Sequence, residues 1–164
     1  MVCIVGLIVN LFIVVQVHFS CHLAYLLFSN QNSIHNSILT WDNLQRRGFS
    51  GPGICSLCWS DEEIVDHLFS YCSVWKTMAV FICDFFNIPD CFTGASSADI
   101  IKDWVGKFPK SSPLFLLPYN MMWTVWKARN LAVFEGKKRN IHGIIQQILP
   151  TVQDPFLGTV AKKG

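Results

Sequence analysis

Three cysteines and a histidine fall within eighteen residues as Cys55-x2-Cys58-x8-His67-x4-Cys72, and no other feature constrains the chain as tightly. A Cys-x2-Cys turn places two thiolates on one ion. A second pair brought back by a short helix completes a tetrahedron, with sulfur at ~2.3 Å and nitrogen at ~2.0 Å. Four protein ligands leave no position open for a substrate, so the implied ion is structural zinc, not a catalytic one.

The flanking residues support this geometry. Gly51, Pro52 and Gly53 form a turn into Cys55, and Ser60 with Glu63 has the spacing of a capping box. That box predicts a helix through Ile64, Val65, His67, Leu68 and Tyr71. Cys72 comes five residues after His67, where Ser73 suits the cap of a new helix and a chain reversal would return the sulfur to the ion. Two weaker readings remain at this point: buried thiols beside a core histidine, and a redox pair at Cys55 and Cys58. The redox pair lacks the strand and helix pattern of a thioredoxin-like unit around it.

Seven cysteines are an odd number, and the chain has no convincing secretory signal. Both facts argue against a disulfide framework and favour a reducing compartment. Cys3 and Cys21 lie in an apolar run, and Cys83 shares a helical stretch with Phe81, Ile82, Phe85 and Phe86. These three are expected to be packing residues, and Cys91 has no comparable partner either.

The residues around the clasp are recognisable. Ile38-Leu39-Thr40-Trp41-Asp42-Asn43-Leu44-Gln45-Arg46-Arg47-Gly48 is followed by Cys55-Ser56-Leu57-Cys58, Asp61-Glu62-Glu63, Val65-Asp66-His67-Leu68-Phe69 and Cys72. In order and spacing this resembles the zinc-binding domain of plant reverse-transcriptase-like proteins from non-LTR retrotransposons, over roughly Ser37 to Phe86. Further on, Trp123, Trp126, Lys127, Arg129, Asn130 and Phe134 look like the tryptophan and Arg-Asn helix that in such proteins leads toward a ribonuclease H-like domain. The resemblance implies a polymerase body with a Tyr-x-Asp-Asp box, and none occurs in these 164 residues. The expectation is a fragment of a retroelement protein, with the uncharged run Met1 to Gln31 standing where relatives carry a tryptophan- and lysine-containing segment.

That run has no acidic or basic side chain before Asp42 and is almost wholly apolar from Val2 to Phe28. Residues 2–22 are long enough for a membrane-crossing helix, although Gln16 and His18 are costly inside one. The other readings are a buried core helix and a non-native N-terminus. An N-terminus without Lys or Arg is a poor cleavable signal.

After the clasp, Val74, Trp75, Met78, Ala79, Ile82, Phe85 and Phe86 recur at helical intervals, and Asn87 to Ser96 is a loop. Ser97 is placed to cap a helix with Ile100, Ile101, Trp104 and Val105, closed by Gly106 and Pro109. Lys110 to Pro118 is a connector. Tyr119 to Glu135 is the best helix, with Met122, Trp123, Trp126, Asn130 and Phe134 on one face and Gly136 at its end. Asn140 is suited to cap a last helix bearing Ile141, Ile144, Ile145, Ile148 and Leu149 that stops at Pro150. The tail is without period and is expected to be disordered.

The predicted fold is therefore mainly α: a small helical domain around a Cys-Cys-His-Cys zinc site, with an N-terminal apolar helix. Its divisions are an apolar segment 1–30, a zinc-binding domain 33–108, a helical extension 109–150 and a tail 151–164. No catalytic residue is expected, since no phosphate-binding loop, nucleophile elbow or His-Glu-x-x-His occurs. Asp61, Glu62 and Glu63 sit where a helix N-terminus favours acids.

Residues Asn120 to Gly164 carry seven basic and two acidic side chains, a bias that suits phosphate or an anionic surface. Arg46, Arg47, Lys127, Arg129, Lys137, Lys138 and Arg139 are the candidate contacts to RNA or DNA. The functional expectation is a non-catalytic zinc-binding module of a reverse transcriptase that touches nucleic acid and takes no small-molecule substrate. An intracellular site, nucleus or cytoplasm, suits it. The alternative is a membrane-anchored or scaffolding remnant without a nucleic-acid partner.

Overall fold

A computed structural model of the chain describes residues 38–137 and 140–149. Among the described residues five α-helical stretches alternate with loops: α1 (Trp41–Arg46), α2 (Ser73–Phe86), α3 (Ser97–Lys107), α4 (Leu117–Glu135) and α5 (141–149). A π-helical turn, His67–Tyr71, runs directly into α2. Among the described residues the only β pairing is an isolated antiparallel bridge between Ile54 and Glu62. The mainly helical expectation holds. The apolar run at 2–22, the predicted N-terminal helix, Cys3, Cys21 and the tail lie outside the described residues. No helix among the described residues is long and apolar enough to cross a membrane.

The π-helical turn is the hub, since α2, α3 and α4 all pack against it. Leu68 and Phe69 on this turn are fully buried, as are Trp75, Met78 and Ile82 on α2. An aromatic chain continues inward from Phe69 to Trp75, Phe92, Trp104 and Phe108, with ring centroids 4.4 to 6.2 Å apart. The Trp104 indole donates to the Leu114 carbonyl at 3.0 Å, which ties the 110–116 connector to α3.

Several local expectations change in detail. Ser60 and Glu63 form no capping box. The Ser60 hydroxyl donates to the Cys58 carbonyl, and Glu63 lies in the extended stretch that pairs back on Gly53 through Glu63 N–H to Gly53 C=O at 2.8 Å. Ser96, not Ser97, caps α3: its hydroxyl accepts from Asp99 N–H and donates to the Asp99 carboxylate. Ser97 instead gives both its N–H and its hydroxyl to Asp66 at 2.9 Å, which fastens α3 to the turn that carries His67.

On α4 the core face is also rotated from the predicted one. Met121, Met122, Val125 and Ala128 are buried, Trp123 and Trp126 are half-buried at the flanks, and Phe134 is 66% exposed. The tryptophans stood out by size, but the buried face of α4 runs through Tyr119, the two methionines, Val125 and Arg129. The predicted ends hold: Gly136 closes α4 in the left-handed conformation at φ 64°, and the Asn140 side chain accepts from Gly143 N–H at 2.8 Å ahead of α5.

Cys83, expected as a packing residue, is joined to Cys91 in a disulfide that pins the 87–92 loop to the end of α2. Nothing in the spacing of two isolated cysteines eight residues apart signals this. It follows from the left-handed turn at Asn87, which reverses the chain against α2.

Candidate metal centre

The first two donors come from a tight knuckle. Cys55 N–H donates to the Asp61 carbonyl at 2.8 Å and Trp59 N–H to the Cys55 carbonyl at 2.9 Å, so residues 55–61 fold back on themselves. This brings Cys55 and Cys58 to one side. Trp59 takes a positive φ of 59°, which an L-residue with a large side chain adopts only where surrounding bonds impose it.

The second pair owes its placement to the π-helical turn. Five residues along an α-helix stand about 140° apart, on nearly opposite faces. In a π turn the i+5 amide bonds back to residue i. Here that bond joins the two ligands themselves: Cys72 N–H donates to the His67 carbonyl at 2.7 Å. His67-x4-Cys72 is thus the spacing of one wide helical turn. It replaces the chain reversal expected beyond a helix end.

The four donor atoms of Cys55, Cys58, His67 and Cys72 lie within 4.8 Å of one another. Cys55 Sγ is 4.0 Å from Cys72 Sγ, and Cys58 Sγ is 3.2 Å from His67 Nε2. A zinc tetrahedron with the bond lengths above has S···S near ~3.8 Å and S···N near ~3.5 Å, so both separations fit it. Cys55, His67 and Cys72 are buried and Cys58 partly so. All three cysteines are free thiols.

His67 presents Nε2 to the cluster, and its Nδ1 lies 3.9 Å from the exposed Asp61 carboxylate. A carboxylate on that side favours the proton on Nδ1 and leaves Nε2 free to ligate. Electrostatics also favour thiolate at the knuckle. The hydrogen bond from Cys72 lowers the Cys55 thiol to about 5, with help from the backbone N–H groups of Cys58 and Leu57 and against the effect of burial. The same hydrogen bond and burial push Cys72 up. One proton shared by two touching thiols is the arrangement that a divalent cation resolves, because it stabilises both as thiolates. Three soft thiolates with one imidazole in a closed tetrahedron suit zinc and leave no ligand position for a substrate.

The clasp is tied to the helical body by an ion pair that the sequence does not announce. Arg129 on α4 donates Nε and Nη2 to Glu63 Oε1 at 2.9 and 2.5 Å, and both side chains are wholly buried. Ser56 N–H, inside the knuckle, faces Glu63 Oε2 at 3.5 Å. Arg129 was a candidate phosphate contact; its guanidinium is instead consumed in the interior, with Nη1 on Asn130 and the Trp126 ring 5.2 Å away. The acid cluster at 61–63 likewise divides: Asp61 faces His67, and Glu63 neutralises Arg129.

The other basic candidates lie on separate elements. Arg46 and Arg47 are exposed at the end of α1, and Arg46 pairs with Asp42 at 3.1 Å. Lys127 is half-buried on α4, and Lys137 is exposed and paired with Glu135 at 2.9 Å. Lys138 and Arg139 lie outside the described residues.

The family described as zinc-binding in reverse transcriptase matches residues 16–86. The match contains all four donors and begins upstream of Ser37, so part of the apolar run belongs to the matched segment. No curated protein and no solved structure matches the chain.

Proposed function

We propose that this chain is a non-catalytic module of a reverse transcriptase of the plant non-LTR retroelement type, in which structural zinc holds a helical body that contacts RNA or DNA. The observation that carries the reading is the closed set of four donors within 4.8 Å, inside the segment that matches the zinc-binding family. Zinc bound by Cys55, Cys58, His67 and Cys72 supplies folding free energy. On the order of 10 kcal/mol at neutral pH is typical of such sites and exceeds what a knuckle of this size contributes by packing.

Arg46, Arg47, Lys127 and Lys137, with Lys138 and Arg139 next in the chain, are the residues for phosphate. Arg46 and Lys137 sit in exposed ion pairs, which are worth about 0–1 kcal/mol and are readily exchanged for a phosphate partner. Arg129 is not among them.

Zinc content and a nucleic-acid titration test both halves of the reading. Purified protein should hold one zinc per chain, and Cys55→Ser or His67→Ala should lose the metal together with helicity. Affinity for single-stranded RNA and DNA should fall steeply as salt rises, as counterion release requires. Full helicity in metal-free protein refutes the zinc half, and affinity independent of salt refutes the nucleic-acid half.

A further inference from the structure

Cys55, Cys58 and Cys72 are free thiols, while Cys83 and Cys91 of the same domain are joined. Surroundings that keep the first three reduced act on the disulfide too, and disulfides found under reducing conditions are mostly transient or redox-sensing. The loop closed by this one is short, with a sequence separation of 8, and short loops gain least stability from a cross-link.

The effect of the bond is local. Asn87, Asp90 and Phe92 have positive φ of 51°, 49° and 60°. Asparagine and aspartate tolerate that region, but a phenylalanine occupies it only where its surroundings impose it. Phe92 has two such restraints. Its backbone follows Cys91, whose side chain is tied to α2, and its ring stacks on Trp104 at 4.6 Å and meets Trp75 edge-on at 6.1 Å. In this seat it is 6% exposed. The polar ties on the loop are weaker, since the Lys107 ammonium and the Thr93 hydroxyl reach the Asp90 carbonyl only at 3.4 Å. Opening the disulfide therefore removes the covalent restraint and leaves the residue held by ring packing against its backbone strain. A groove of about 630 Å³ between α2 and residues 90–95 is lined by both cysteines, of which Cys91 is buried and Cys83 half-buried.

We propose that Cys83–Cys91 is a redox latch on Phe92: a small-molecule thiol opens it from the groove, and opening releases the phenylalanine from Trp75 and Trp104. The thiolate attacks Cys83 Sγ and forms a mixed disulfide as the bond to Cys91 breaks, and Cys91 leaves as a thiolate that takes up a proton. A second thiol attacks the small-molecule sulfur of the mixed disulfide, so that Cys83 leaves as a thiol. Two small-molecule thiols are oxidised to one disulfide for each protein disulfide reduced, and an excess of that oxidised partner closes the latch again. None of the four zinc donors lines the groove, so the device stands apart from the clasp.

The test equilibrates the full chain with glutathione couples from wholly oxidised to wholly reduced and locates free thiols by alkylation and mass spectrometry. Chymotryptic cleavage after Phe92 reads the release, because the protease must take that ring into its own pocket. Cys83 and Cys91 should become alkylated together and reversibly at unchanged helicity. Cleavage after Phe92 should rise about tenfold or more, as cleavage tracks the population of the opened loop. Cys83→Ser with Cys91→Ser should be cleaved at the fast rate at every ratio; if that variant does not fold, reduced wild type gives the same reading. A disulfide that opens only when helicity is lost is a structural staple and overturns the proposal. Alkylation of both cysteines even in the oxidised couple overturns it as well, and so does opening that leaves cleavage after Phe92 unchanged.

Discussion

Replacing Glu63 by glutamine keeps an oxygen for Arg129 but removes the only carboxylate bonded to it among the described residues, and so takes away the counter-charge of a guanidinium in the interior. Breaking one side of a fully buried pair costs about 3–5 kcal/mol. A domain of this size has a total stability of about 5–15 kcal/mol, so Glu63→Gln should remove a large share of it. In urea, with zinc saturating, the unfolding midpoint should fall by roughly 1 M or more, given slopes of about 1–3 kcal/mol per M. Fluorescence of the buried Trp75 and Trp104 reports the transition. Metal binding and folding are linked, and Glu63 touches the knuckle at Ser56, so zinc affinity should drop in step, by roughly a hundredfold for 3 kcal/mol. The double variant Glu63→Leu, Arg129→Met removes both charges and should regain most of the loss, because a well-packed apolar pair of similar volume is often neutral or better. A Glu63→Gln variant within about 0.5 kcal/mol of wild type, the size of an ordinary surface change, would refute the reasoning. A double variant as unstable as the single one would refute it equally.

Zinc affinity should rise with pH through neutrality, because Cys72, pushed up by the Cys55 hydrogen bond and burial, must release a proton to ligate. Competition with a chelator at several pH values measures this, and a flat profile would contradict it. In the metal-free fold, the lowered Cys55 thiol contributes stability that is fully present above its ordinary value of 9.0 and lost as pH falls to about 5. Thermal melts of chelated protein across that window should therefore decline toward acid. Ser96→Ala should cost about 0.5–2 kcal/mol by uncapping α3, read from the urea midpoint. Asp66→Ala should cost about 1.5–3 kcal/mol, since one carboxylate oxygen holds both the N–H and the hydroxyl of Ser97; proteolysis near the start of α3 should rise with it.

What could be read from the sequence and what could not divide by the range of the interaction responsible. That these four side chains form one group able to hold a metal was legible because a metal site imposes short spacings, and Cys55-x2-Cys58 and His67-x4-Cys72 each span about one turn of chain. The helices after the clasp were legible for the same reason: apolar intervals of three and four, Gly136 as a stop and Asn140 as a cap are all local signals. Arg129 was misplaced on the surface because its partner Glu63 is 66 residues away, and no periodicity links the two. The apparent capping box at Ser60 and Glu63 misled for a related reason: the Glu63 carboxylate goes to Arg129 on α4, outside any local motif. Whether His67 and Cys72 share one wide helical turn and whether Cys83 reaches Cys91 depend on how α2, α3 and α4 close around that turn. By itself the sequence determined which atoms can hold the ion. The tertiary structure decided which charges are buried and which surface is left for a partner, because desolvation and pairing are set by neighbours in space, not along the chain.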